Sequence, residues 1–216
     1  MVEKIDFRKK DKALYFPKIT PSVIEVPEMK FVTISGSGST SAPDGEYAAA
    51  LKLIFSLAYV IKLGRNSNEE HSNYIMPPLE TFFYTEEDYS ISEDAGDGSL
   101  QWKAMLRLPD FVDEELFERA REIVQQRKKL RTAESRFETI NEGLCVQCMH
   151  IGAFDDKIAT NDKLLRFAAE NGYATDFGKN RMYHEIYHKL PQKTQPVHMK
   201  VVIRQPIREI SDSKAE

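Results

Sequence analysis

The chain has few cysteines and no long apolar run, and each absence excludes a class of protein. Two cysteines in 216 residues are too few for a disulfide-stapled secreted scaffold. No apolar stretch approaches the roughly 20 residues that span a bilayer, and the first residues lack the apolar core of a secretory signal. We therefore expect a cytoplasmic protein with no membrane partner.

An excess of positive charge is also missing. Thirty Lys and Arg residues against 34 Asp and Glu residues give a formal net charge of -4. A chain with this balance is a poor candidate for binding by phosphate neutralisation, so we expect no direct contact with nucleic acid. The hydrophobic share of 41% and the charged share of 30% are typical of a folded domain and exclude a largely disordered chain.

Cys145 and Cys148 are spaced like half of a zinc site or a redox motif. They lie in an apolar run that reads as a strand, where residues three apart point to opposite faces. Two such sulfurs cannot bind one ion or form an unstrained bridge, and no second cysteine pair completes a four-sulfur site. We interpret both as buried structural residues and expect neither a metal site nor a cofactor.

The apolar pattern predicts one order of elements, strand–helix–strand–strand, in each half of the chain. In the first half (22–109) the predicted elements are a strand at 29–35, a helix from Asp44 to about residue 62, and strands at 79–84 and 100–108. A charge-ordered helix at 111–131 connects the halves. In the second half (136–206) they are a hairpin of strands 136–140 and 145–151, a helix at 155–171, and strands at 182–188 and 198–204, before a polar tail (207–216).

The repeat predicts a single α+β domain over residues 1–216, built from a duplicated βαββ module. Each copy alone would leave one sheet face uncovered, so we expect the two to pair about a pseudo-twofold axis, with antiparallel sheets around a central groove. In this arrangement Glu80 and Glu185 occupy equivalent strand positions and face the same groove.

Aromatic residues two positions apart on a strand would accompany these glutamates. Phe82 and Tyr84 would lie beside Glu80, and Tyr183 and Tyr187 beside Glu185. Trp102, the sole tryptophan, lines the groove or packs beneath the helices; the pattern leaves both open. The alternative is that these rings belong to an ordinary core and that the glutamates are solvated.

An aromatic groove with buried glutamates binds flat lipophilic or cationic small molecules through stacking, burial and charge. A carboxyl group out of water can also take or hold a proton near neutral pH. Glu185 and Glu80 are therefore the candidate catalytic pair, because two carboxyl groups in one groove push their pKa values apart. Phe82, Tyr84, Trp102, Tyr183 and Tyr187 are the candidate ligand-binding residues.

The segment 184–188 also fits the H-E-x-x-H pattern of zinc hydrolases. That site needs a helix, so that both histidines reach one ion, whereas Tyr183, Ile186 and Tyr187 favour a strand. On a strand His184 and His188 would lie about 13 Å apart, which is too far for one metal ion. A zinc hydrolase is therefore the remote alternative.

Short motifs along most of the chain resemble the GyrI-like small-molecule-binding domains. They are VPEM (26–29), GSG (36–38), PPLE (77–80), RLPDF (107–111), RFET (136–139), EGLCVQ (142–147), MHIG (149–152) and HEIY (184–187). The resemblance implies two βαββ modules around a ligand groove and matches the family's ligand-contacting glutamate to Glu185. His188 departs from the leucine of many relatives.

The resemblance also implies a function. The chain looks like a stand-alone member, because no helix-turn-helix can be fitted before residue 29, and such members bind xenobiotics. It is similar to a subfamily that hydrolyses the cyclopropane ring of DNA-alkylating spirocyclopropyl dienones. The alternative is a non-catalytic binding or effector-sensing module; an interaction with gyrase is a third possibility. The physiological ligand, protein partners and oligomeric state are not specified by the sequence.

Overall fold

The computed structural model describes residues 4–63, 74–85, 100–153, 156–179, 181–190 and 194–210. Within these ranges the chain forms five α-helices, a short 3-10 helix at Pro196–His198 and one sheet of nine strands. In chain order the elements are α1 (Phe7–Lys10), α2 (Lys12–Tyr15), β1 (Ser22–Val26), β2 (Met29–Ser37), α3 (Glu46–Leu63), β3 (Leu79–Tyr84), β4 (Gln101–Leu108), α4 (Glu114–Lys128), β5 (Arg136–Ile140), β6 (Gly143–Ile151), α5 (Lys157–Glu170), β7 (Tyr173–Thr175), β8 (Tyr183–Tyr187) and β9 (Lys200–Glu209).

The sheet has the strand order β1-β6-β9-β8-β3-β4-β2-β5, and β7 pairs with the end of β9. All of its neighbouring strands run antiparallel. Strands β2, β3 and β4 of the first half lie on one side of the order, and strands β6, β8 and β9 of the second half lie on the other. The edge strands are exchanged, because β1 pairs with β6 and β5 pairs with β2. The two sides meet at the central pair, β3 and β8.

The predicted hairpin between residues 136–140 and 145–151 is wrong. Both segments are strands, but β5 pairs with β2, whereas β6 pairs with β1 and β9. The turn between them therefore joins opposite ends of the sheet. Local turn residues favour a hairpin, but the pairing partner of a strand is decided by which edge it can cover in the folded sheet.

The helices of the two halves lie over the flanks of the sheet and leave its centre between them. α3 packs on β2 and β4, and α5 packs on β6, β7 and β9, while α4 packs against α3. The predicted connecting helix is shorter than expected. It begins after Asp113, whose side chain accepts the backbone N–H of Leu116, and ends at Lys128, before Lys129, whose backbone is left-handed (φ 53°).

The opposite face of the sheet is covered by α1 and α2, which the sequence pattern did not predict. The Tyr15 hydroxyl of α2 donates to Glu80 of β3 (3.1 Å), and Asp11 pairs with Arg107 of β4 (2.6 Å). The two short helices are thus tied to the sheet by polar contacts and bury Phe7, Leu14 and Tyr15. Apolar periodicity cannot reveal helices of one turn, since it needs several turns to show.

The strand predicted at 79–84 is confirmed as β3, and the others are confirmed within a few residues. The last strand differs most, because β9 runs to Glu209 and so includes residues assigned to the polar tail. β7 pairs with this extension and was not predicted. In the part of the chain that the structure describes, no helix combines the length and apolar character needed to cross a membrane.

Candidate functional site

The centre of the sheet presents Glu185 toward the space between α3 and α5. Glu185 lies directly opposite Thr81 in the β3–β8 register, so the two side chains share a face. Thr81 hydrogen-bonds Tyr47 of α3 (2.7 Å), and Glu185 is bound by Lys157 of α5. Both helices therefore cover the face that carries Glu185, which we call the α3–α5 face.

Three donors bind the Glu185 carboxylate. The Tyr183 hydroxyl donates to Oε1 (2.9 Å), the Tyr187 hydroxyl donates to Oε2, and the Lys157 ammonium donates to Oε1 (2.6 Å). The side chain of Glu185 is 2% exposed and that of Lys157 is 17% exposed. An ionised carboxylate is an acceptor with about four lone-pair positions, so these donors leave room for one more, such as a water.

The tyrosines of this cluster are held as neutral phenols. Burial raises the pKa of Tyr183 and of Tyr187 well above the usual value, and the charge of Glu185 raises both further. Burial likewise raises the pKa of Tyr47, although its hydrogen bond to Thr81 opposes the shift. All three hydroxyls therefore keep their protons at any ordinary pH. We call Glu185, Tyr47, Tyr183, Tyr187 and Lys157 the Glu185 cluster.

Further aromatic residues extend the same face. Phe83 lies opposite Tyr183 in the β3–β8 register, and their ring centroids are 6.5 Å apart. Trp102 lies opposite Phe83 on β4 and is fully buried beneath α3, where it meets Tyr47 edge-on with centroids 5.0 Å apart. Of the two interpretations left open for Trp102, packing beneath a helix describes its position, on the same face as Glu185.

Glu80 does not share a face with Glu185, and this expectation from the sequence is wrong. In the β3–β8 register the partner of Glu185 is Thr81, one residue further along, so Glu80 points to the opposite face. The two carboxyl groups are thus separated by the sheet itself. They cannot form an acid–base pair in one groove.

Phe82 and Tyr84 lie on the same face of the sheet as Glu80, because residues two apart on a strand point the same way. Phe82 is buried there, edge-on to the His184 ring at 4.6 Å between centroids. These two candidate ligand-binding residues therefore lie away from the Glu185 cluster. Phe83, which the sequence analysis did not select, occupies the place expected for Phe82.

On the α1–α2 face Glu80 belongs to a buried charge network. His184 lies between two glutamates, with Nδ1 at 2.9 Å from Glu142 and Nε2 at 3.2 Å from Glu80. Arg204 completes the network by donating to Glu142 (2.7 Å) and to the backbone carbonyl of Leu14 (3.0 Å). The side chains of His184, Glu142 and Arg204 are all at most 3% exposed.

Charge pairing overrides burial in this network. Burial alone would lower the pKa of His184, but Glu142 and Glu80 outweigh it and raise the pKa above the usual value. Burial would raise the pKa of Glu142, but His184 and Arg204 lower it to about 2. Pairing with Glu142 and Arg204 thus offsets the cost of burying charge in this network.

The H-E-x-x-H segment is a strand, as expected, and both of its histidines contact other protein groups. Both ring nitrogens of His184 face glutamates, and Nε2 of His188 donates to the backbone carbonyl of Tyr15 (2.6 Å). Among the described residues no group of three or more His, Cys, Asp or Glu side chains is arranged to hold a metal ion. Cys145 and Cys148 are free and buried on β6, in agreement with their interpretation as structural residues.

Sequence reasoning missed Tyr47 and Lys157 as members of the site. Tyr47 lies on the apolar face of the helix predicted from Asp44, and such a position does not show which strand its hydroxyl reaches. Lys157 did carry a signal. Lys157 lies near the start of a predicted helix, where a cation is unfavourable at that end of the helix dipole. Such an anomaly points to a tertiary role.

Comparison with solved structures finds close relatives. The crystal structure of a hydrolase from Listeria innocua superposes with a TM-score of 0.84 at 35% sequence identity, covering 95% of this chain and all of that one. An uncharacterized conserved protein from Listeria innocua gives a TM-score of 0.85 at the same identity and coverage. The EcmrR C-terminal domain matches with a TM-score of 0.51 at 14% identity, over 88% of this chain and 98% of that domain, and so shares the fold. No protein-family model and no curated protein matches.

Proposed function

This chain belongs to the same family as the hydrolase from Listeria innocua and has the GyrI-like fold, and from that premise we propose that it binds a flat, lipophilic small molecule and hydrolyses it at the Glu185 cluster. One observation carries the proposal. A buried carboxylate at the centre of the sheet is held by two tyrosine hydroxyls and one ammonium group, with an acceptor position to spare.

Binding would rest on the rings of the α3–α5 face. Tyr47, Phe83, Tyr183 and Tyr187 offer aromatic surface around one charged centre, and apolar burial supplies most of the affinity of such a site. The hydroxyl groups of the three tyrosines, which are bonded to Glu185 or Thr81, orient their rings.

The substrate we propose is a spirocyclopropyl dienone. Glu185 would accept a proton from a water held at its remaining acceptor position while the water oxygen attacks a cyclopropane CH₂. The C–C bond of the strained ring breaks, its electron pair restores the aromatic ring, and the former dienone oxygen becomes a phenolate. That oxygen then takes one proton, so the net change is addition of one water.

The phenolate oxygen takes its proton from solvent, and Glu185 releases the proton it accepted back to solvent, so the protons balance. Glu80, the other residue of the candidate catalytic pair, lies on the opposite face of the sheet and cannot reach a molecule bound at Glu185. Lys157 is the ammonium group at the cluster, and its partial exposure lets it exchange protons with solvent. We propose that Lys157 stabilises the developing phenolate by charge.

The proposal is tested by mass spectrometry of a spirocyclopropyl dienone incubated with the protein. We expect a product heavier by one water, formed faster than in buffer, and loss of this turnover in Glu185→Gln with binding largely kept. Glu80→Gln is the matched control on the other face. It should keep its turnover per folded molecule, because Glu80 is not near the reacting atoms.

Two results would contradict the proposal. Full turnover in Glu185→Gln would remove Glu185 from the chemistry. An unchanged dienone that nevertheless binds would favour the alternative, a non-catalytic or effector-sensing module. The EcmrR domain shares the fold, so this alternative has a structural basis of its own.

We also propose that the two βαββ halves are copies related by a pseudo-twofold axis. The strand order supports this, because β5-β2-β4-β3 on one side is followed by β8-β9-β6-β1 on the other. Each half contributes one central strand, one flanking helix and one strand paired with the opposite half.

A further inference from the structure

Lys157 occupies the position at Glu185 where an organic cation would bind. Its Nζ lies 2.6 Å from Oε1, and the pair is shielded by the surrounding tyrosines, since Glu185 is 2% exposed. A charge pair in such surroundings is screened less than one at the surface. The ammonium group therefore acts strongly on any charge that enters the site.

A cationic ligand is at a disadvantage here. To reach the carboxylate it must displace Lys157 or lie beside it, and in both cases it is repelled by a like charge at short range. Tyrosine faces attract cations, but by an energy smaller than the cost of breaking a buried ion pair. A neutral aromatic molecule meets no such repulsion and gains the same stacking.

The position of Lys157 in its helix supports a role at the site. As the first residue of α5 it lies at the positive end of the helix dipole, where a cation destabilises the helix. The helix therefore gains nothing from this charge. A contact that favours the charge at this position is the ion pair with Glu185, on the sheet face that the helix covers.

We propose that Lys157 makes the Glu185 cluster selective for neutral flat aromatic molecules over cationic ones. This inference rests on the proposed function only in taking the Glu185 cluster as the ligand site; it does not require hydrolysis. The sequence predicts a site for lipophilic or cationic molecules, and this inference selects the neutral lipophilic class.

The test uses two probes of nearly the same shape, acridine and N-methylacridinium, titrated by calorimetry at mildly alkaline pH, where acridine is neutral. We expect the wild type to bind acridine at least about tenfold more tightly than N-methylacridinium. Lys157→Met should reverse this preference, and Lys157→Arg should keep it. Lys163→Met, which removes a cation from the exposed side of the same helix, is the matched control and should bind like the wild type.

A double variant tests whether the change in ligand preference depends on the charge of Glu185. In Lys157→Met/Glu185→Gln both charges are absent, so the gain in affinity for N-methylacridinium should be lost again. The inference is overturned if the wild type binds the two probes equally, if Lys157→Met leaves their ratio unchanged, or if neither probe binds any variant. A clear preference together with an unchanged dienone would instead contradict only the hydrolytic part of the proposed function.

Discussion

At the scale of single residues, the two faces of strand β8 surround their charged side chains with different partners. Glu185 on one face is held by tyrosine hydroxyls and one ammonium group, an arrangement with an acceptor position to spare. His184, its neighbour on the other face, is buried and lies between the carboxyl groups of Glu80 and Glu142. One residue step along a strand thus separates the candidate site from its structural support.

The His184 network predicts how stability depends on pH. Glu142 has a folded-state pKa of about 2, below its ordinary value, so it stabilises the fold above that ordinary value and the stabilisation is lost as the pH falls toward 2. His184 has a raised pKa, so its stabilisation is complete below its ordinary pKa and is lost as the pH rises through the folded-state pKa. We expect the free energy of unfolding, measured in urea across the pH range, to fall on both sides of a maximum.

A variant isolates the acidic side of this profile. Glu142→Gln should lower the free energy of unfolding at neutral pH by about 3 kcal/mol, because His184 and Arg204 lose a charged partner while buried. The variant should also flatten the loss of stability in acid. An acid profile that runs parallel to that of the wild type would show that other carboxyl groups cause it.

At the scale of elements, strand β2 packs closely against the Trp102 ring, which lies beneath α3. A Cβ at Gly36 would lie well inside van der Waals contact with the Trp102 ring and with the Glu46 carboxylate. The glutamate can move aside, but the buried tryptophan cannot. The glycine therefore allows β2, β4 and α3 to approach one another at this point.

Gly36→Ala should lower the free energy of unfolding by about 1–3 kcal/mol, the usual range for overpacking a buried site. Urea unfolding followed by Trp102 fluorescence measures this directly. Gly178→Ala is the matched control, because a Cβ there meets nothing within 4 Å and its backbone φ is ordinary. Equal effects of the two substitutions would contradict the close fit.

At the scale of the whole molecule, the two halves are interlocked. β1 lies in the first half of the chain but pairs with β6 of the second, and β5 lies in the second half but pairs with β2 of the first. The central pair β3–β8 joins the halves a third time. Neither half can unfold without breaking ladders that belong to the other.

This interlocking predicts one cooperative unfolding transition. Trp102 fluorescence, which reports on β4, and far-ultraviolet circular dichroism, which reports on all elements, should give the same urea midpoint. The pairs that hold the halves together span the entire sheet, so no subset remains stable alone. Two separated midpoints would contradict this and would indicate that the halves unfold independently.

The sequence alone determined the elements with long periodic patterns and the residues that accompany Glu185. The strand at 79–84, the helices α3 and α5, and the strand nature of 183–187 follow from local periodicity, as does the sharing of one face by Tyr183, Glu185 and Tyr187. Each of these depends on the geometry of one segment, which a segment's own residues encode.

Only the tertiary structure decided what depends on two segments at once. The β3–β8 register placed Thr81, and not Glu80, beside Glu185, and a shift of one residue reverses the face of every side chain in a strand. The same holds for Lys157 and Tyr47, which reach the site from two helices over the sheet. Contacts between distant segments are set by packing of the whole chain, and no local pattern records them.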